Sequence, residues 1–108
     1  EFRLRKQGFS VTLAKDGQEA LTKVKEENPD LVVLDVMMPH VSGLELIEYV
    51  RQDLKSPLPL IVISALEHDD IVLEAFRRGA TDFITKPFKP NELILRIRRI
   101  FQEMEVSS

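Results

Sequence analysis

The segment Leu31-Val32-Val33-Leu34-Asp35-Val36-Met37-Met38-Pro39 carries the strongest indication of the fold. Its four leading apolar residues, two of them β-branched, predict a strand covered on both faces, as in a parallel sheet. Asp35 follows where that strand emerges, and Pro39 and Gly43 predict a turn into the next helix. Ligands of open α/β sheets bind outside the carboxyl ends of the strands, so Asp35 is placed to act as nucleophile or metal ligand. The alternative is an Asp that only caps the turn before a proline.

The composition is that of one folded domain. The 108 residues suffice for a single hydrophobic core, and 44% apolar with 31% charged residues is typical of a globular protein. The net charge of −3 gives no reason to expect nucleic acid or an anionic membrane as a direct partner. The absence of cysteine excludes disulfides and thiolate metal sites and suits a cytoplasmic protein. No apolar run is long enough to span a bilayer or to form a signal peptide.

Strand-like and helix-like segments alternate along the chain, which predicts a parallel α/β layer fold. Residues 1–7 are predicted to be the end of a helix that Gly8 closes. Besides Leu31–Asp35, the predicted strands are Phe9–Leu13, Leu60–Ile63 and Phe83–Thr85. Helices are predicted to begin at Asp16, at Ser42, at Asp69 or Asp70, and near Asn91, the first two opened by the capping-box pairs Asp16/Glu19 and Ser42/Glu45.

The helical segments each carry an apolar stripe that predicts their buried face. The second helix is expected to bury Leu44, Ile47, Val50 and Leu54, and the third Val72, Ala75 and Phe76. The last helix is expected to bury Leu93, Ile94, Ile97, Ile100, Phe101 and Met104. One domain over residues 1–106 is predicted, with residues 107–108 as the start of a linker or tail.

Three predicted strands end in residues that can act together: Asp35, Ser64 and Lys86. In a parallel sheet these ends converge on one rim. A carboxylate, a hydroxyl and an ammonium there provide the acceptor, hydrogen-bond partner and charge neutraliser that phosphoryl transfer needs. Taken singly, Ser64 is an ordinary turn hydroxyl and Lys86 an ordinary surface cation; their joint placement is the signal.

The chain resembles the receiver domain of two-component response regulators. The resemblance rests on Leu31–Asp35 with Met38-Pro39 and Gly43, on Ser64-Ala65, and on Gly79-Ala80, Asp82-Phe83 and Lys86-Pro87-Phe88. It implies a doubly wound, flavodoxin-like sheet flanked by helices, with strand order 2-1-3-4-5.

The resemblance also implies roles for individual residues. Asp35 would take a phosphoryl group from a sensor histidine kinase or phosphotransfer protein, Ser64 would be the switch hydroxyl and Lys86 would pair with the phosphoryl group. Phe83 matches the aromatic switch position, for which the alternative is an ordinary half-buried strand aromatic. The Lys86–Pro87 peptide is expected to be cis. Phosphorylation would then switch the surface of the family's fourth helix, fifth strand and last helix, a two-state element biased by a local charge.

The family's first strand and the acidic pair at its end have no counterpart before Gly8. The complete domain would bind Mg²⁺. Without the acidic pair, the protein ligands left for Mg²⁺ are the Asp35 carboxylate and the Met37 backbone carbonyl, so weak or absent Mg²⁺ binding is expected from this chain. Strand order would leave a gap at the centre of the sheet, and its two open edges would invite another chain.

Other functions remain open beside the phosphoacceptor. The lost acidic pair favours a pseudo-receiver that acts as a phosphorylation-independent interaction module, whereas retention of Asp35, Ser64 and Lys86 opposes it. An aspartyl-phosphate hydrolase of the haloacid-dehalogenase type would need a second Asp at position 37, which is Met. The histidines, His40 and His68, have no partner at metal-ligand spacing.

The resemblance further offers a dimer face. Asp82 and Arg96 match two positions that form ion pairs between subunits in the winged-helix transcription-factor branch of the family. Thr81 and Val72 stand where that branch carries charges. The alternative to a dimer face is therefore that Asp82 and Arg96 are solvated surface charges.

Overall fold

One sheet of five strands runs through the described part of the chain. The computed structural model describes the backbone of residues 2–4, 9–35, 41–65 and 69–107, and the side chains of residues 10–35, 44–65 and 70–104. The strands are β1 Phe2–Leu4, β2 Phe9–Ala14, β3 Leu31–Asp35, β4 Leu60–Ser64 and β5 Asp82–Thr85. The helices are α1 Gly17–Glu27, α2 Val41–Glu48, α3 Asp69–Arg78 and α4 Pro90–Ser107, and a π-helical turn, Tyr49–Asp53, continues α2.

The strands lie in the order β1-β2-β3-β4-β5, and β2 to β5 are parallel. Helices cover both faces, which confirms the predicted α/β layer fold. Residues of α1, α2 and α3 pack on one face, and α4 packs on the other. The carboxyl ends of β3, β4 and β5 therefore lie side by side at one rim of the sheet.

Two predictions for the amino-terminal part of the sheet are wrong. Residues 1–7 do not end a helix: Phe2–Leu4 is a strand that pairs antiparallel with β2. The expected central gap is also absent, because β2 pairs directly with β3 from Val11 opposite Leu31 to Ala14 opposite Leu34. The backbone groups expected to be open at that edge are thus joined within the chain.

The core consists of two layers because side chains of a strand point alternately to opposite faces. Within β3, Val32 and Leu34 join the cluster under α1, α2 and α3, whereas Leu31 and Val33 join the cluster under α4. All four are completely or almost completely buried. The continuous apolar run that predicted a doubly covered strand is explained by this arrangement.

The helices match the predicted stripes in part. In α2 and the following turn, Ile47 and Val50 are buried, but Leu54 is 42% exposed. The reason is the π-helical turn, in which the Leu54 amide donates to the Tyr49 carbonyl five residues back, so Leu54 leaves the stripe. In α3, Ala75 is buried whereas Phe76 is 44% exposed, which contradicts the burial predicted for Phe76.

The helix ends follow local side-chain chemistry. The Asp16 side chain accepts from the Glu19 amide at 2.8 Å and so caps α1, and Glu19 in turn accepts from the Lys15 amide rather than from Asp16. The last helix contains Ile97 and Phe101 in the core, with Leu93, Ile100 and Met104 packed against it. It extends to Ser107, one residue past the predicted domain end. Among the described helices, none combines the length and apolar character needed to cross a bilayer.

Candidate functional site

The Asp35 and Lys86 side chains meet at the carboxyl rim of the sheet. Asp35 ends β3, and Lys86 follows β5, with β4 lying between these two strands. The Lys86 ammonium Nζ lies 2.6 Å from Asp35 Oδ1, and both side chains are about one-third exposed (38% and 32%). The long lysine side chain thus reaches over the end of β4 to the carboxylate. The predicted carboxylate–ammonium pair is present in the structure.

The Asp35 carboxylate keeps unused acceptor capacity. Oδ1 is buried, and it accepts no well-directed hydrogen bond from the described residues. The short contact with Nζ is therefore an ion pair by distance, while the angles required of a hydrogen bond are not met. A buried carboxylate oxygen in this condition can still accept a ligand or be modified.

Ser64 occupies the end of the strand between Asp35 and Lys86. Its side chain is completely buried. In register, Asp35 stands beside Ile63, and Ser64 beside Thr85. The Lys86 amide donates to the Ser64 carbonyl at 2.8 Å, and this bond fixes the position of the Lys86 backbone relative to Ser64. The sheet thus brings the three predicted residues to adjacent strand ends.

Phe83 and the Lys86–Pro87 peptide lie next to this rim. Phe83 is partly buried in β5 and packs against the core cluster under α1, α2 and α3. The Lys86–Pro87 peptide bond is cis, as the resemblance implies. Met37, His40 and His68 lie outside the described residues, so the predictions for them stay predictions.

Asp82 and Arg96, the predicted dimer-face pair, bind each other within the chain. Nη1 of Arg96 lies 2.8 Å from Oδ1 and 2.7 Å from Oδ2 of Asp82, and Nη2 donates to Glu92 at 3.1 Å. The hydrogen bond to Asp82, helped by the charges of Asp82 and Glu92, raises the pKa of Arg96 against the effect of burial. A contact between subunits at this place would have to exchange or extend an existing pair.

A broad groove on the described surface lies away from Asp35. It has a volume of about 810 Å³ and runs along β5 and α4, where Asp82, Leu95 and Arg96 line it. The carboxylate of Asp35, the hydroxyl of Ser64 and the ammonium of Lys86 lie at the rim and do not line this groove. We therefore place the candidate site at the strand ends.

The residues at the rim fit magnesium in part. Mg²⁺ is commonly held by one or two carboxylates together with waters and phosphate oxygens. Asp35 supplies one carboxylate, and its Oδ1 already lies 2.6 Å from the Lys86 ammonium, so a metal ion would share the carboxylate with that cation. Within the described ranges, no three His, Cys, Asp or Glu side chains cluster around a common point. Asp35 thus suits a site in which most oxygens come from water and phosphate.

Arg51 has a structural role that was not predicted from the sequence. Its guanidinium binds three backbone carbonyls at the opposite end of the sheet. The only signal in the sequence is a cation on the predicted second helix, and nothing local distinguishes it from a solvated arginine.

Comparisons with known proteins agree with this geometry. The family model for the response regulator receiver domain matches residues 1–98. PhoP, the alkaline phosphatase synthesis transcriptional regulatory protein of Bacillus subtilis, is 36% identical over 108 residues, which is 100% of this chain and 45% of PhoP. The DNA-binding response regulator MtrA of Mycobacterium tuberculosis is 41% identical over 95 residues, which is 88% of this chain and 41% of MtrA. The chain spans less than half the length of these relatives.

A solved structure extends the comparison to the fold. The receiver domain of a Francisella response regulator superimposes with a TM-score of 0.76 and 28% identity, covering 89% of this chain and 98% of that one. Both the sequence match and the shared architecture therefore run through the strands that carry Asp35, Ser64 and Lys86. The chain belongs to the response regulator receiver domain family.

Proposed function

We propose that this chain is a phosphoacceptor: Asp35 receives a phosphoryl group from a phosphohistidine of a sensor histidine kinase or of a phosphotransfer protein. The observation that carries the proposal is the 2.6 Å contact between the Lys86 ammonium and the Asp35 carboxylate at the rim. It supports a site in which a nucleophile already faces the cation that would compensate added negative charge.

The transfer is a substitution at phosphorus. A carboxylate oxygen of Asp35 attacks, an O–P bond forms, and the P–N bond of the phosphohistidine breaks. The electron pair of that bond returns to the imidazole nitrogen, which takes up a proton. Hydrolysis later restores the Asp35 carboxylate and releases inorganic phosphate. The chain thus acts as a signalling domain whose only chemistry is on its own carboxylate.

Lys86 would act by charge compensation. Phosphoryl transfer has little covalent chemistry for a protein to assist, so positioning and electrostatic stabilisation supply most of the effect. The ammonium is in place before the phosphoryl group arrives and needs little rearrangement. A bound Mg²⁺, with Asp35 as one ligand and the Met37 carbonyl as another by resemblance, would add neutralising charge at the phosphoryl oxygens.

Ser64 and Phe83 would transmit the modification. An acyl phosphate adds charge and acceptor oxygens beside Ser64, whose hydroxyl can form a charge-assisted hydrogen bond to them. Phe83 lies on the next strand and packs on the face that α3 covers. Movement of both would bias the surface of α3, β5 and α4, which correspond to the family's fourth helix, fifth strand and last helix.

The test is the mass of the intact protein after incubation with acetyl phosphate and Mg²⁺. We expect a fraction of the parent chain, limited by its weak Mg²⁺ binding, to gain the mass of one phosphoryl group and the Asp35→Asn variant to gain none. The matched control is Asp53→Asn, an exposed acid in the π-helical turn, which should gain the mass as the parent does.

Two results would overturn the phosphoacceptor. If parent and Asp35→Asn behave alike with no gain of mass, the chain is an interaction module of the pseudo-receiver kind. If Asp35→Asn gains the same mass as the parent, another residue is modified. By their names, PhoP is a transcriptional regulatory protein and MtrA is a DNA-binding response regulator, which supports a transcriptional output for the protein that contains this chain.

A further inference from the structure

Arg51 joins three segments at the amino ends of β4 and β5, far along the strands from Asp35. It lies in the π-helical turn, and its Nε donates to the Gly79 carbonyl at 3.0 Å. Its Nη1 donates to the Ser56 carbonyl at 3.0 Å and to the Leu58 carbonyl at 2.7 Å. Burial lowers the pKa of this guanidinium, but an arginine stays charged wherever the protein is folded. These charge-assisted bonds connect the turn after α2, the loop before β4 and the end of α3.

Gly79 is shaped for this contact. Its φ is +119°, a backbone conformation that side chains rarely adopt, and a Cβ there would lie 2.6 Å from Arg51 Cγ. The close approach of the arginine stem to the backbone therefore depends on the glycine. A side chain at position 79 would therefore displace Arg51 from its present position.

The same place fixes the start of the β4–β5 pairing. The Thr81 amide donates to the Leu60 carbonyl at 2.8 Å, and the Leu60 amide donates to Thr81 Oγ1 at 3.0 Å. Arg51 Nη2 makes a longer contact of 3.4 Å with the same Thr81 hydroxyl. The strand β4, which ends at Ser64, and the strand β5, which Lys86 follows, are thus both held at their amino ends.

The two ends of α3 are held very differently. At the carboxyl end, the Gly79 and Ala80 amides both return to the Ala75 carbonyl, and Arg78 pairs with Glu48 of α2 at 3.3 Å. Toward the amino end, Leu73 presents a side chain that is 60% exposed. The carboxyl end is therefore tied by backbone and side-chain bonds to three other segments, and the amino-terminal turns are not tied in this way among the described residues.

We propose that Arg51 makes the carboxyl end of α3 the fixed end of that helix, so that movement of α3 is confined to its amino-terminal turns. The inference rests on the proposed function in one respect: the movement that matters is the one linked to modification of Asp35. The switching signal would then tilt α3 about Gly79 without disturbing the start of β4 or β5.

Amide hydrogen exchange of the full chain, followed residue by residue by NMR, tests the fixed end without any ligand. Reporters at that end are the hydrogen-bonded amides of Gly79, Ala80 and Thr81, and reporters toward the free end are those of Leu73 and Glu74. We expect slower exchange at the first set. The variant Arg51→Lys keeps the positive charge but lacks the several N–H donors of the guanidinium. It should speed exchange of the amides at the fixed end about tenfold and leave those toward the free end unchanged.

Glu48→Gln is the matched control, since it removes only the exposed ion pair with Arg78, and it should leave the difference between the ends in place. Equal exchange along α3, or an Arg51→Lys profile like that of the parent, would overturn the fixed end.

Adding BeF₃⁻ with Mg²⁺ as a phosphoryl mimic then separates the two proposals. Changes within α3 confined to Leu73 and Glu74 support both proposals, and equal changes at Gly79 and Ala80 overturn the fixed end. A difference between the ends with no response anywhere to BeF₃⁻ supports the fixed end and counts against the phosphoacceptor.

Discussion

The Asp35 carboxylate is held between opposing requirements. Its Oδ1 is buried without a well-directed hydrogen bond from the described residues, and the Lys86 ammonium 2.6 Å away offsets the cost of burying its charge. A fully hydrogen-bonded carboxylate would be more stable and a poorer acceptor. The contact with Lys86 is partly solvent-exposed, so it contributes little to the stability of the fold.

Replacement of Lys86 should therefore separate activity from stability. We expect Lys86→Met to slow phosphorylation by acetyl phosphate on the order of 100-fold, since compensation of charge in the transition state is lost. The free energy of unfolding should change by less than about 1 kcal/mol, the usual limit for a partly exposed pair. Initial rates from intact mass and urea unfolding curves measure the two effects.

Lys89→Met, which removes an exposed lysine nearby, is the control and should match the parent in both measurements. A Lys86→Met protein phosphorylated at the parent's rate would remove Lys86 from the chemistry.

At the residue scale, the sequence predicted which side chains meet better than how they are held. Asp35 and Lys86 were placed together because parallel strands share a rim, and the structure puts them in contact. The bonds of Arg51 could not be foreseen, because its three carbonyl partners are brought to it by loops that carry no sequence pattern.

At the scale of elements, α1 depends on its first turn. Asp16→Ala should lower the free energy of unfolding by about 1 kcal/mol, because the Glu19 amide loses its acceptor and the negative charge near the helix start is removed. Urea unfolding should show a lower midpoint with an unchanged slope. Gln18→Ala, an exposed change on the same turn, should leave the midpoint where it is, and an equal shift in both variants would contradict the capping role.

The charges of α3 give that helix a pH dependence. The hydrogen bond from Arg78, helped by the charges of Arg78 and Arg77, lowers the pKa of Glu74 although desolvation opposes it. A carboxyl with a lowered pKa in the folded state stabilises the fold above its unfolded pKa, and this stabilisation is lost as the pH falls through the folded pKa.

Glu74→Gln should accordingly lower the urea midpoint at pH 7, and the difference should shrink as the pH falls and vanish once it is below the lowered pKa of Glu74 in the folded protein. Added salt should shrink the effect at pH 7 because the pair is partly accessible to solvent. Glu26→Gln on the exposed side of α1 is the control. A midpoint difference that persists in acid would show that the effect does not come from the carboxylate charge.

Strands were predictable where a continuous apolar run decided them, as in β3 and β4. The strand β1 was missed although Phe2 and Leu4 alternate with Arg3, because its partner and antiparallel direction depend on a chain reversal that the composition does not specify. The direct pairing of β2 with β3 was missed for a different reason: strand order came from the resemblance rather than from the residues.

At the scale of the whole molecule, α4 supplies the helical cover on one face of the sheet among the described elements, and Phe101 is the largest side chain buried there. Phe101→Ala should cost about 3–5 kcal/mol of unfolding free energy, and Ile97→Val about 0.5–1.5 kcal/mol. Urea unfolding measures both. The exposed Gln102→Ala should be neutral, and equal losses for Phe101→Ala and Gln102→Ala would contradict the described core.

The π-helical turn has a consequence for comparing chain lengths. A turn closed five residues back holds one residue more than an α-helical turn closed four back. Tyr49–Asp53 thus contains one residue more than an α-helical turn at the same place would hold. We expect sequences of the same fold to differ from this one by a single-residue gap in that segment, with the flanking strands keeping their register.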